Sequence, residues 1–345
     1  MEIMIEEKLE IVLITYNRYK DLENTLKQVY DGPFSGCKIT ILDNCSDDNT
    51  PEVCAKYQNL FPNMKIIRHI KNIGGNANIL RAAETSTSIY TWVLCDDDNY
   101  DFSDCSDVIK SVNNEKFDLI SPGSCEYDWE LGLSTSVKKL IEMGSNYFLD
   151  RLFIPSVIFK TELFDSLCLI KGYQNAHNFF PFFPFFVKSL ENNFSIYISK
   201  KKIIKVGTHN TSSFSNIYFI AGWINSCALI KNKNIRNNTV YTPMHGSTLI
   251  KMIIISIIFE KVSSEKDFSK NILALIQSIM STFGFSKELF LILLILILSI
   301  IPKFLFKLFL KFYIDRNYST KGKEIPSDWN YKLSETKNID PLRKF

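Results

Sequence analysis

This 345-residue sequence has no cysteine pairing that suggests metal or redox work. Its eight cysteines, at 37, 45, 54, 95, 105, 125, 168 and 227, are scattered. None forms a C-x-x-C pair, and no spacing to the four histidines fits a zinc site. They are expected as reduced thiols in a cytosolic protein. A strong charge of one sign is also missing, and the net charge of +3 is too small to argue for nucleic acid as a partner. Residues 1 to 7 are acidic and lack a basic segment followed by an apolar one, so no secretory signal is read there. No segment repeats. The longest apolar stretch, 289 to 301, is thirteen residues, short of the ~20 that a simple spanning helix needs. What remains is a chain of ordinary folded composition, with 46% hydrophobic and 22% charged residues. Its length suits one large or two medium domains.

The first 120 residues alternate strand and helix patterns. Strand runs are expected at 9–15, 38–43, 64–68, 89–95 and 117–120, with helices at 19–29, from Thr50, and at 75–85. Pro51 fits the first turn of its helix, where a missing N–H costs nothing. This order predicts an α/β fold, a mostly parallel sheet flanked by helices. Ligands in such sheets bind beyond the carboxyl ends of the strands. Thr15-Tyr16-Asn17-Arg18, Asp43-Asn44 and Asp96-Asp97-Asp98 all fall at such ends. Further on, strands are expected at 154–159 and 194–198, and a helix from Pro184 to Leu190. The phenylalanine-rich run 179–186 is read either as core or as an apolar wall beside an acceptor site or a membrane.

The three consecutive aspartates are the most informative feature. Carboxylates this close repel and raise each other's pKa unless a cation sits among them. On a strand, Asp96 and Asp98 would share a face about 7 Å apart. Oxygen ligands suit Mn²⁺ or Mg²⁺, which also hold substrate phosphates. The alternative is a solvated acidic turn capping a helix near Asp104.

Four pieces in order resemble the inverting GT-A glycosyltransferases of family 2, of the bacterial polysaccharide and O-antigen type. They are Ile14 to Arg18, the D-N-x-S-x-D-x-T-like segment Leu42 to Thr50, the N-x-G-G loop Asn72 to Asn78, and Asp96-Asp97-Asp98 at the D-x-D position. The resemblance covers residues 9 to 98. It implies a Rossmann-like GT-A domain over 1–230, with a nucleotide-binding half at 1–122 and an acceptor half at 123–230. It also implies donor contacts from Thr15, Tyr16, Asn17, Arg18, Asp43, Asn44, Asn72, Gly74, Gly75, Arg81, Asp96 and Asp97. Asp98 is the expected direct metal ligand. Asp96 is expected at the ribose or at the metal through water.

An inverting transfer needs a base to take the acceptor's proton. The family usually keeps an acid near the start of a helix in the second half, but residues 172–178 here read G-Y-Q-N-A-H-N and carry none. His177, whose type titrates near neutrality, is one candidate. Glu126 and Asp128, beside Trp129, are the others. His209, in a polar loop, is a candidate for closing over the donor phosphates.

From residue 248 the composition turns apolar. Lys303, Lys307 and Lys311 recur every four residues among Phe and Leu. That is the pattern of a helix lying in a membrane interface and attracted to anionic lipid. Residues 248–313 are therefore expected to be a helical membrane-associating region. The expected form is a monotopic or re-entrant anchor at the cytoplasmic face of a bacterial inner membrane, followed by a polar tail at 314–345. The expected function is metal-dependent sugar transfer from a nucleotide sugar to a lipid-linked or oligosaccharide acceptor. Two other readings stay open: a nucleotidyltransferase that makes an activated sugar, and a transferase-like membrane assembly protein without catalysis.

Overall fold

The computed structural model describes residues 5–123, 132–144, 147–151, 153–205, 215–241, 248–263, 267–284 and 289–308. The chain divides into two compact units, Met1–His209 and Asn210–Lys344. The division falls before the boundary expected near residue 230. The helix Asn216–Cys227 is buried along most of its length, and it packs on helix Phe268–Phe283 of the second unit.

In the first unit the strands are β1 (Leu9–Thr15), β2 (Lys38–Asp43), β3 (Met64–Arg68), β4 (Tyr90–Cys95), β5 (Asn99–Tyr100), β6 (Leu119–Ser121), β7 (Ser134–Ser136), β8 (Ile158–Lys160), β9 (Ser195–Ile198) and β10 (Ile204–Lys205). The main sheet runs β3-β2-β1-β4-β8-β6-β9-β7, and β5 pairs separately with β10. Strands β3, β2, β1 and β4 are parallel, while β8 is antiparallel to both of its neighbours. Helices Tyr19–Asp31, Thr50–Gln58 and Gly75–Thr85 make the crossovers.

The helix Tyr19–Asp31 buries Leu22, Thr25, Leu26 and Val29, a single face at 3.6-residue spacing. Beneath it, Trp92 of β4 packs edge-on against Phe34 and Phe102, with ring centroids 5.5 and 6.0 Å apart. The segment 154–159 is only partly strand. Pro155 lacks the N–H a central strand needs, so Ile154–Ser156 forms a 3₁₀ turn whose Pro155 carbonyl accepts from Trp92 Nε1 at 2.8 Å. The phenylalanine-rich run resolves mainly as core. Phe182, Phe183, Phe185 and Phe186 are all buried, and Phe164 meets the rings of Phe182 and Phe185 at 4.8 Å.

The second unit is helical among its described residues. Helix Leu249–Ser263 packs on Leu289–Ile300. Its buried Glu260 accepts bonds from Ser215 Oγ (2.6 Å), the Ile217 N–H (2.7 Å) and Asn271 Nδ2 (3.1 Å). The carboxylate thereby satisfies a helix start that would otherwise leave N–H groups bare.

Candidate active site

The register of the parallel strands places the site. Thr15 lies opposite Asp43, and Ile14 lies opposite Cys95, so β1, β2 and β4 end at one level. The loops that follow lock together. The Asn44 N–H donates to the Thr15 carbonyl (3.0 Å), the Asn17 N–H to Ser46 Oγ (2.9 Å), and the Asp47 N–H to Asn17 Oδ1 (2.8 Å). Asn17 sits at φ 52°, a left-handed conformation that asparagine tolerates better than most residues. Asp48 Oδ2 accepts from the Tyr19 N–H at 3.2 Å, at the start of its helix.

Several residues expected to touch the donor also tie this loop framework together. Asp43, 1% exposed, accepts from the Ser46 N–H at 2.9 Å and pairs with Arg68 Nε at 3.3 Å. Asn44 takes the Ile73 N–H at 2.9 Å and donates to Asn72 Oδ1 at 2.8 Å, which also receives the Gly74 N–H at 2.8 Å. Asn78 binds the Leu42 carbonyl at 3.1 Å and meets His69 Nε2 at 2.9 Å. Asp43, Asn44 and Asn72 thus fix the shape of the loops beyond β1 and β2. Gly74 has φ 85°, a region only glycine enters freely, and a Cβ on Gly74 or Gly75 would meet nothing within 4 Å. The Tyr16 ring beside these loops is half-buried.

The aspartates lie in a turn after β4 ends at Cys95, so strand alternation does not govern them. The shared strand face expected for Asp96 and Asp98 is therefore absent. Among the described residues, Cys95, Asp97 and Asp98 bring their ligand atoms within 4.8 Å of one another. Asp96 turns to Arg18, whose Nη1 donates to Asp96 Oδ1 at 3.1 Å and to Asp97 Oδ2 at 2.6 Å. Burial pushes the Asp96 carboxyl up to about 7, against the pull of Arg18 and Thr15. Burial, then Asp98, Asp97 and Asp96, push the Cys95 thiol well above its usual value. Carboxylate oxygens are hard ligands, so Asp97 and Asp98 fit Mn²⁺ or Mg²⁺ better than the soft Cys95 sulfur does.

The turn is braced from below. Thr25 Oγ1 donates to the Asp96 carbonyl at 3.0 Å. The Tyr100 hydroxyl accepts from the Cys95 N–H at 3.1 Å and donates to its carbonyl at 3.0 Å. Thr25, Tyr100, Cys95, Arg68 and His69 were not singled out from the sequence. The available signals were a threonine on an otherwise apolar helix face and a thiol next to three carboxylates.

Arg81, expected at the diphosphate, pairs with Glu84 at 2.9 Å, one turn along its own helix. His177 is exposed, on the 3₁₀ turn Ala176–Asn178. That turn is tied to the glycine loop, because Asn76 Nδ2 donates to the Ala176 carbonyl at 2.7 Å. Gly172 lets helix Ser166–Asn175 approach helix Gly75–Thr85, since a Cβ there would lie 2.6 Å from Leu80 Cδ2. Glu126, Asp128 and His209 lie outside the described residues.

Residues 10–194 match the sequence profile of the family described as Glycosyl transferase family 2. No curated protein matches the chain by sequence. Among solved structures, S. aureus TarS 1–349 in complex with UDP-GlcNAc is similar at TM-score 0.55 and 17% identity, over 80% of this chain and 81% of that one. S. aureus TarS 1–349 alone is similar at TM-score 0.53 and 15% identity, over 81% and 91%. At such identities the likeness is one of fold.

Proposed function

The chain belongs to glycosyl transferase family 2 and is a glycosyltransferase of GT-A fold. On that premise we propose that it moves a sugar from a nucleotide-diphosphate sugar to a lipid-linked or growing glycan, with inversion at the anomeric carbon, in bacterial surface polysaccharide synthesis. The observation that carries this reading is the convergence of the β1, β2 and β4 ends at one level, where the turn after β4 carries the Asp97–Asp98 pair.

In the transfer, an acceptor hydroxyl attacks the anomeric carbon as the bond to the diphosphate breaks. The hydroxyl proton passes to a base, and the nucleoside diphosphate leaves with the bonding electrons. A cation held by Asp97 and Asp98 would supply neutralisation of the leaving diphosphate. Tyr16 offers a ring to pack on the nucleotide base. Arg18 offsets the negative charge of Asp96 and Asp97. The imidazole of His177 is a candidate to receive the proton, because its turn is anchored to the glycine loop. Glu126 and Asp128 are the other candidate bases.

The test is thermal stabilisation of the full chain by UDP, GDP, CDP and dTDP, each with and without Mn²⁺. UDP comes first because TarS, of similar fold, is solved with UDP-GlcNAc. A ligand at about 100 times its Kd adds roughly 2.7 kcal/mol. One nucleotide is expected to raise Tm only with metal, and Asp98→Asn is expected to remove that rise without lowering the unliganded Tm. No rise with any nucleotide, or a rise that survives Asp98→Asn, overturns the assignment.

A further inference from the structure

Helix Leu289–Ile300 is apolar on both faces, and the second unit covers only one. Leu291, Ile292 and Ile295 are buried, packed toward Leu249–Ser263 and Phe268–Phe283. On the other side Phe290 is 74% exposed, Leu293 47%, Ile297 55% and Ile300 78%. The bare row continues past Pro302 in Phe304 and Leu308, each 62% exposed, while Phe306 turns inward onto Ile258, Phe259 and Val262. A helix at a water surface carries polar residues on its outer face. The one polar residue of this helix, Ser299, instead turns its hydroxyl back to the Leu296 carbonyl at 2.7 Å. A continuous bare row of this kind marks an interaction surface.

We propose that the row from Phe290 to Leu308 is a docking face for a lipid bilayer with anionic headgroups, lying in the interface without crossing it. Length supports lying over spanning. The twelve residues of the helix rise about 18 Å, against a hydrocarbon core of about 30 Å. Pro302 then interrupts it, and among the described residues no helix is long and apolar enough to cross a membrane.

Charge selects the partner. From 289 to 314 the sequence holds three lysines, at 303, 307 and 311, and no acidic residue. Lys307 is exposed at the end of the bare row. There its stem can lie along the apolar surface while the ammonium reaches headgroup phosphates. A second copy of the chain is a poorer occupant, because protein interfaces ring their apolar centre with polar groups and this row has none along its helix. The inference stands apart from the transfer chemistry, although an acceptor carried on a lipid would be presented at the same surface.

The experiment is flotation of the full chain with phosphatidylcholine vesicles, with and without phosphatidylglycerol. Wild type is expected to float with the anionic vesicles. The double variant Phe290→Glu/Ile300→Glu, at two exposed positions, is expected to lower the partition coefficient tenfold or more, with Tm unchanged. Lys307→Glu is expected to weaken binding to anionic vesicles roughly tenfold while leaving neutral ones unaffected. The proposal is overturned if wild type floats with neither vesicle, or if the double variant floats as wild type does. It is also overturned if sedimentation shows a concentration-dependent dimer that the double variant dissolves while vesicles go unbound.

Discussion

Replacing Glu10 by alanine removes a carboxylate that is 0% exposed near the start of the apolar strand β1. Its Oε1 accepts from Thr40 Oγ1 on β2 at 2.7 Å. Its Oε2 accepts from the Thr87 N–H at 2.9 Å and from Ser86 Oγ at 3.2 Å, and it pairs with Lys38 Nζ at 3.1 Å. One side chain therefore fastens β1 to β2 and to the segment that enters β4, at the end of the sheet away from the site. In Glu10→Ala, Lys38 is exposed enough to turn to water, but the Thr40 hydroxyl and Thr87 N–H lose their acceptor. Each buried orphan costs about 1–3 kcal/mol, so the two together cost about 2–6 kcal/mol. For a unit of this size that is a fall in Tm of about 4–24 °C. Glu10→Gln keeps the shape and one acceptor, and should cost less. Burial pushes the Glu10 carboxyl up, but the bonds from Thr87, Thr40 and Lys38 outweigh it and hold it below its usual value. A depressed acid stabilises above its unfolded pKa, near 4.3, and that contribution fades as pH falls through the folded value. The gap between wild type and Glu10→Gln should therefore be wide at pH 7 and shrink below about pH 4. Thermal melts followed by circular dichroism measure both. A loss under about 1 kcal/mol for the alanine variant, or a gap that holds or widens toward acid, would refute the reasoning.

Arg18→Gln strips the counter-charge from Asp96 and Asp97 and should cost about 1–3 kcal/mol at pH above 8. The raised Asp96 carboxyl takes up a proton as pH falls through about 7, so the cost should be smaller at pH 6. Unfolding at the two pH values in metal-free buffer checks this, and equal costs would contradict it. Gly123→Ala puts a Cβ 2.3 Å from the Lys201 carbonyl oxygen at φ 79°. Backbone strain and overpacking together predict a loss of about 2–5 kcal/mol, read as a shift in urea midpoint. Asp165 caps helix Ser166–Asn175 through the Cys168 N–H at 2.9 Å and meets Lys188 Nζ at 2.9 Å, and these bonds hold it down to about 2. Asp165→Ala should cost about 1 kcal/mol at neutral pH. Because the folded value lies below the unfolded one, that cost should fade as pH falls from 4 to 2, and a pH series of denaturant melts would show it.

The strand runs at 9–15, 38–43, 64–68 and 90–95 were legible because apolar β-formers end there in polar turns, and ligand sites follow from where parallel strands stop. A sequence shows which groups can bind a ligand but not which are already bound to the chain. Asp43, Asn44 and Asn72 look like donor contacts, and by hydrogen-bonding capacity they are. The structure uses that capacity to join three loops. Asp96 and Asp98 were paired by strand alternation, a rule that ended one residue too early, at Cys95. Glu10 sat unnoticed in the apolar run Leu9–Thr15, because its partners Thr40, Ser86 and Thr87 lie 30, 76 and 77 residues away. Rigid loops are what a transfer site requires, since electrostatic stabilisation works only when the groups are placed before the charge develops. The polar residues that brace the aspartate turn, Arg18, Thr25 and Tyr100, are therefore as much a part of the proposed chemistry as the carboxylates themselves.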